Sequence, residues 1–360
     1  MKFSVGYQLP DGESEPLVDI VADYTGSISE VYFPWGDMPS GRAPLATVHG
    51  YTDWGATATL TEDLRRLREI GVKLDVLFNS NCYGGKAISK WLQNQVCSVL
   101  DYLGETVGGT DIVTTTSPFV ARTIKQYQPE VEVRASVNMR IGTIRGMDYL
   151  ADVFDSYHVQ REYNRNLDYL RELKSWADEN GKKLVMLANS GCMWNCSGQS
   201  FHDNMVAHEA EIDETANVTG WAAHTCWRYL KQREHWVSIL QNTWVRPEDL
   251  HHYEGLFDTV KLATRMHARP RMVIDAYTRR SFRGNLLDLC EPGFGPALMP
   301  YVIDNTRFPD DWFERTGTCG HQCHRCNYCA SVLEQVLVDT EAEKRRGWTA
   351  NGVFNRERRE

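Results

Sequence analysis

The chain of 360 residues has no apolar run near the ~20 residues that a membrane-crossing helix needs, so a membrane protein is not expected. Its opening, Met1-Lys2-Phe3-Ser4-Val5-Gly6-Tyr7, carries one charge and soon meets Pro10 and Asp11, which reads as a short strand and not an export signal. Positive charge is also in deficit. The 39 Lys and Arg against 48 Asp and Glu leave a formal charge of −9, which disfavours a nucleic-acid coat but permits a small basic pocket. No linker, internal repeat or low-complexity tract divides the chain. No G-x-G-x-x-G follows the first strand, H-E-x-x-H is missing, and no Ser/His/Asp set stands out.

What is present is an ordinary soluble balance, 42% hydrophobic and 24% charged, enough for one large core. Ten cysteines without an export signal read as reduced thiols of a cytoplasmic protein. Short apolar runs at 3–8, 30–34, 73–78, 111–115, 131–137, 156–160, 183–188 and 259–263 read as eight strands. Helical patterns lie between them, for example at 61–69, 87–103, 166–180 and 270–281. Eight strands alternating with helices predict a parallel sheet, most simply closed as a (β/α)8 TIM-like barrel, with a doubly wound sheet as the alternative. The expected organisation is a barrel over 1–310, a cysteine-rich metal-binding segment over 311–335 and a charged tail over 336–360.

In such a barrel the working residues stand at the C-terminal ends of the strands. Asn79, Ser80, Asn81 and Cys82 follow the third strand, and Arg161, Asn164 and Asn166 the sixth. Asn189, Ser190 and Cys192 follow the seventh, and Arg265 the eighth.

The cysteines are unevenly placed. Cys319, Cys323, Cys326 and Cys329 are separated by three, two and two residues, a crowding that favours one 4Fe–4S cluster. Zinc is the alternative, although structural zinc usually pairs two C-x2-C knuckles across a longer gap. The first three of these cysteines also match the C-x3-C-x2-C spacing of radical S-adenosylmethionine enzymes. The late position and the closing Cys329 count against that reading. A second set is Cys192 and Cys196, with His202 six residues on and Cys226 further along. Buried inert thiols would also explain that spacing. Cys82, at another strand end, is the geometric candidate for a fourth partner. His202 is a ligand, a proton donor or a satisfied histidine by sequence alone.

The stretch Asn189-Ser190-Gly191-Cys192-x3-Cys196 followed by His202, with Trp244-Val245-Arg246-Pro247-Glu248-Asp249-Leu250, resembles the collagenase-like peptidase family U, number thirty-two. So do Val260-Lys261-Leu262-Ala263-Thr264-Arg265 and Gly284-Asn285-Leu286-Leu287-Asp288-Leu289, in the same order along the chain. The resemblance implies an iron–sulfur protein on a TIM-like barrel, related to oxygen-independent hydroxylases for which prephenate is the implied oxygen donor. It implies Cys192, Cys196 and Cys226 as ligands of a 4Fe–4S cluster, and the terminal four cysteines then make a second cluster possible.

The expected function is therefore an iron–sulfur redox enzyme or hydroxylase, working without oxygen on a small anionic substrate. His202 and Arg265 are the expected catalytic residues, and Asn81, Arg161 and Asn189 line the substrate. The alternative is a non-catalytic, cluster-bearing partner of a paralogous enzyme, or a homo-oligomer. A peptidase is disfavoured, as are nucleic-acid and membrane partners.

Overall fold

A computed structural model describes residues 1–10, 12, 14–36, 38–41, 47, 48, 51–209, 212 and 224–345. Eight parallel strands close into a barrel: β1 (Lys2–Gly6), β2 (Ile28–Pro34), β3 (Lys73–Phe78), β4 (Ile112–Thr115), β5 (Glu132–Ala135), β6 (Ser156–His158), β7 (Lys183–Leu187) and β8 (Thr259–Leu262). They neighbour one another in chain order, and β8 returns to β1 with Phe3 beside Val260. Every strand expected from the sequence is present, shifted by at most two residues at either end.

Local chemistry sets the helices between strands. Ser89 and Ser117 each accept a bond from the backbone N–H three residues on, at 3.1 and 3.3 Å, and so start the helices Lys90–Val107 and Pro118–Tyr127. Gly108 stops the first of them in the left-handed conformation, at φ +79°. The inward helix faces, such as Leu92, Val96, Leu100 and Leu103, are buried against the outside of the barrel.

The barrel interior is not apolar. Arg134 on β5 donates two bonds to Glu30 on β2, at 2.7 and 3.0 Å. Those strands are not neighbours, so the pair crosses the lumen. Asp75 on β3 lies 3.9 Å from the same guanidinium and accepts from Thr114 at 2.8 Å. His158 on β6 and Lys261 on β8 complete this buried polar layer.

Beyond β8 the chain forms a two-stranded antiparallel sheet, Tyr301–Ile303 against Leu337–Asp339. The cysteine-rich stretch is held between those two strands. Trp312 stacks on Trp244 at 5.9 Å, and buried Arg165 lies over both rings while donating to Leu240 O at 3.0 Å. The last part of the expected tail, 346–360, lies outside the described residues. No helix among the described residues is long and apolar enough to cross a membrane.

Candidate functional site

The C-terminal mouth of the barrel holds a cavity of about 90 Å³, bounded by the described residues. Strand ends supply its walls: Tyr32 from β2, Leu77 and Asn79 from β3, Val137 and Asn138 after β5, and Arg161 after β6. Leu187 and Ser190 come from β7, and Lys261, Ala263 and Arg265 from β8, with Glu291 closing the rim. Three of these side chains are cationic and one is a carboxylate.

The cations are held in a built setting. Lys261 is 8% exposed, and its Nζ sits 3.7 Å above the Tyr32 ring. The Tyr32 hydroxyl donates to Leu262 O at 2.9 Å, which fixes that ring. A Cβ on Gly6 would stand 2.7 Å from the Tyr32 ring and 2.8 Å from Arg265 Cβ, so only glycine lets the two pack there. Arg265 donates to Ser40 Oγ at 3.3 Å. Arg161 is 6% exposed. Neither the Arg161 guanidinium nor the Lys261 amine makes a hydrogen bond or an ion pair among the described residues, although both line the cavity.

Burial, the main cause, holds the Lys261 amine down to about 8; Asp75 and Glu30 oppose it, and Arg134 and Arg265 reinforce it. Burial likewise pushes the Asp75 carboxyl up to about 6, against the pull of Arg134 and Lys261. For Arg161, burial works against the charge, but Cys192, Glu162, Asp203 and Cys196 outweigh it and the value rises.

The structure divides the expected site residues. Arg161 and Arg265 meet at the mouth. Asn189 does not face a ligand. It is wholly buried, donates to Ala263 O at 3.1 Å and Leu289 O at 2.9 Å, and accepts from Ala263 N at 2.6 Å. That corrects its expected substrate role: its amide pins β7 to β8. Asn189→Ala is expected to lower stability by about 1–3 kcal/mol, as buried backbone groups lose their partners. A urea melt checks this, and an unchanged midpoint would contradict it. Asn81 buries its Oδ1 in the loop after β3 and is not among the cavity's lining residues. His202, on the helix Gln199–Ala207, packs edge-on against His224 at 4.5 Å, also away from the lining.

Cys192, Cys196 and Cys226 share one neighbourhood. Burial pushes the Cys226 thiol up to about 11, and the other two thiols add to the rise. Cys82 accepts from Gly84 N at 3.4 Å, in the loop after β3. Cys319, Cys323, Cys326 and Cys329 form a second neighbourhood, in which Cys329 is pushed up to about 11, chiefly by burial, with Arg165 opposing. The two loops touch, with His321 stacked on Trp194 at 4.5 Å. The resemblance implies a cluster at Cys192, Cys196 and Cys226. Among the described residues, no three His, Cys, Asp or Glu groups are arranged to hold a metal ion. No iron–sulfur site is shown among the described residues, and the oxidoreductase expectation is without support.

Lys261, Tyr32, Asn138 and Glu291 were not among the expected site residues. The signal for Lys261 was its place in Thr259-Val260-Lys261-Leu262-Ala263, where strand alternation turns it to the lumen with Thr259 and Ala263.

Fold and mouth together define a (β/α)8 barrel with a cationic pocket at its C-terminal face. No family model matches the chain. It is similar to a protein of Methanocaldococcus jannaschii named "Uncharacterized protease MJ1657", 26% identical over 294 residues, 77% of this chain and 81% of that one. It is similar in fold to the solved U32 peptidase Mk0906, with a TM-score of 0.50 and 16% identity over 72% of this chain and 92% of that one. The chain thus resembles the U32 peptidase family, as its motifs implied. The protease name of that relative overturns the expectation that set a peptidase aside, and neither comparison supports oxygen-independent hydroxylation.

Proposed function

We propose that this protein is a barrel hydrolase of protease-like kind that seats a carboxylate-bearing peptide at the mouth of the barrel. The observation that carries this reading is the pair Arg161 and Lys261: two buried cations that line one cavity and whose charged groups have no hydrogen bond or ion pair among the described residues. A buried cation without a hydrogen-bonded counter-charge is expensive, and an anionic ligand in the cavity supplies one. A guanidinium matches a carboxylate through two parallel N–H donors, and Arg265 stands close enough to share the load. A cavity of about 90 Å³ suits a terminal carboxylate or a short acidic side chain, not a folded protein.

The protease name of the relative supports amide hydrolysis as the reaction class. Glu291, the carboxylate of the lining, is then the group that takes the proton of the attacking water. All ten cysteines are free, which fits the reducing cytoplasm as the place of action.

The test is hydrolysis of N-acylated dipeptides, followed by mass spectrometry, comparing a free C-terminal carboxylate with its amide. The acid is expected to be cut at least about tenfold faster, the worth of one charge-assisted contact. Arg265→Gln is expected to raise KM for the acid by about tenfold or more, with little effect on any residual turnover of the amide. Equal cleavage of the two, or cleavage of neither, would contradict the reading.

A further inference from the structure

The mouth pocket holds an amine as well as guanidinium groups, and this gives it a chemistry beyond amide hydrolysis. We propose that Lys261 captures a small 2-oxo acid as a Schiff base, with Arg161 and Arg265 holding the acid's carboxylate beside it. The proposal rests on the carboxylate-docking part of the function proposed above, but not on peptide cleavage.

The geometry is that of a carbonyl trap. Lys261 projects from the C-terminal end of β8 into the cavity and has no hydrogen bond or ion pair to hold its nitrogen. The Tyr32 ring covers one side of it at 3.7 Å. The opening of about 90 Å³ is the space of roughly three water molecules, the scale of a three- or four-carbon acid. With the carboxylate on the guanidinium groups, the adjacent ketone carbon lies within the same small chamber as the amine.

The neutral amine adds its electron pair to the ketone carbon, and the carbonyl oxygen gains a proton as the nitrogen loses one. The hydroxyl then leaves as water, taking the second proton of the nitrogen, and a C=N bond to Nζ remains. The step is a condensation, needs no oxidant or reductant, and is reversed by water. Desolvated lysines are suited to this chemistry because the neutral amine is accessible near ordinary pH.

Several charged groups face Lys261. Asp75 comes from β3, Glu30 from β2, Arg134 from β5 and His158 from β6. Arg161, Arg265 and Glu291 stand around the cavity above. Burial and the arginines hold the amine at about 8, while Asp75 and Glu30 pull the other way. The neutral fraction therefore climbs about tenfold between pH 7 and 9, and capture climbs with it.

The experiment is incubation of the whole chain with pyruvate and cyanoborohydride, then digestion and mass spectrometry of the lysine peptides. The expected result is a reduced adduct on Lys261, formed about tenfold faster at pH 9 than at pH 7. It should be lost in Lys261→Arg and Lys261→Met and cut at least tenfold in Arg161→Gln, each variant being checked for a cooperative melt. No adduct in the folded wild-type chain, or adducts spread over surface lysines and unchanged in Lys261→Met, would overturn the proposal. Calorimetry with propionate separates the two readings. If propionate binds but no adduct forms, the Schiff base falls and carboxylate docking stands. If propionate does not bind either, both fall.

Discussion

Arg134→Met is expected to lower the stability of the folded chain by about 3–5 kcal/mol, measured as a shift in a urea melt at pH 7. Arg134 is 2% exposed and crosses the barrel to Glu30 at 2.7 and 3.0 Å. It also meets Glu132 at 2.8 Å and Asp75 at 3.9 Å. Removing the guanidinium leaves the carboxylate of Glu30 in the lumen without its counter-charge. The loss comes from that stranded charge more than from any net gain in the pair. The double change Glu30→Leu with Arg134→Met is therefore expected to recover a large part of it. A loss below about 1 kcal/mol, typical of exposed pairs, would contradict this account of the lumen.

The same network sets the pH behaviour. Burial tends to raise Glu132, but Arg134, Lys183 and Ser156 outweigh it and hold the carboxyl down to about 2. Its folded value is below its unfolded one, so its stabilisation is present above the usual carboxylate range and is lost as pH falls towards 2. Asp75 works in the opposite sense. Raised to about 6, it favours the fold at low pH and loses that contribution as pH climbs through 6. Asp75→Asn should flatten the melt profile between about pH 4 and 6.

The second large effect belongs to the mouth. Arg161→Gln combined with Arg265→Gln is expected to weaken carboxylate binding by at least about 100-fold, since a charge-assisted hydrogen bond contributes about 1.5–3 kcal/mol. Titrating acetylglycine into the wild-type and doubly changed chains by calorimetry checks this. Binding to wild type should also weaken as pH rises through about 8, where Lys261 loses its positive charge. Unaltered affinity in the double variant would place the ligand elsewhere.

The fold was legible because each barrel strand is a short apolar run set off by amphipathic helical patterns, and strand periodicity survives in the sequence. All eight strands fall where those runs lie. Arg161 and Arg265 were legible for a related reason: the barrel brings strand ends to one face, and both follow strands directly. The ionic lumen was not foreseen. Glu30, Asp75, Arg134, His158 and Lys261 each break an apolar run at an inward position, a signal that stands in five different strands. Only the closed barrel shows that these residues meet. Asn189 misled because a buried asparagine at a strand end has the same sequence context whether it binds ligand or pins backbone. The cysteine spacing places thiols in one neighbourhood, as at Cys319–Cys329, without fixing their directions.

The most direct measurement of the central claim is a pair of calorimetric titrations at pH 7, acetylglycine against acetylglycinamide, into the wild-type chain. Carboxylate docking predicts saturable binding of the acid with about one site per chain, and affinity for the amide at least tenfold weaker. Equal binding of both, or binding of neither, would contradict it.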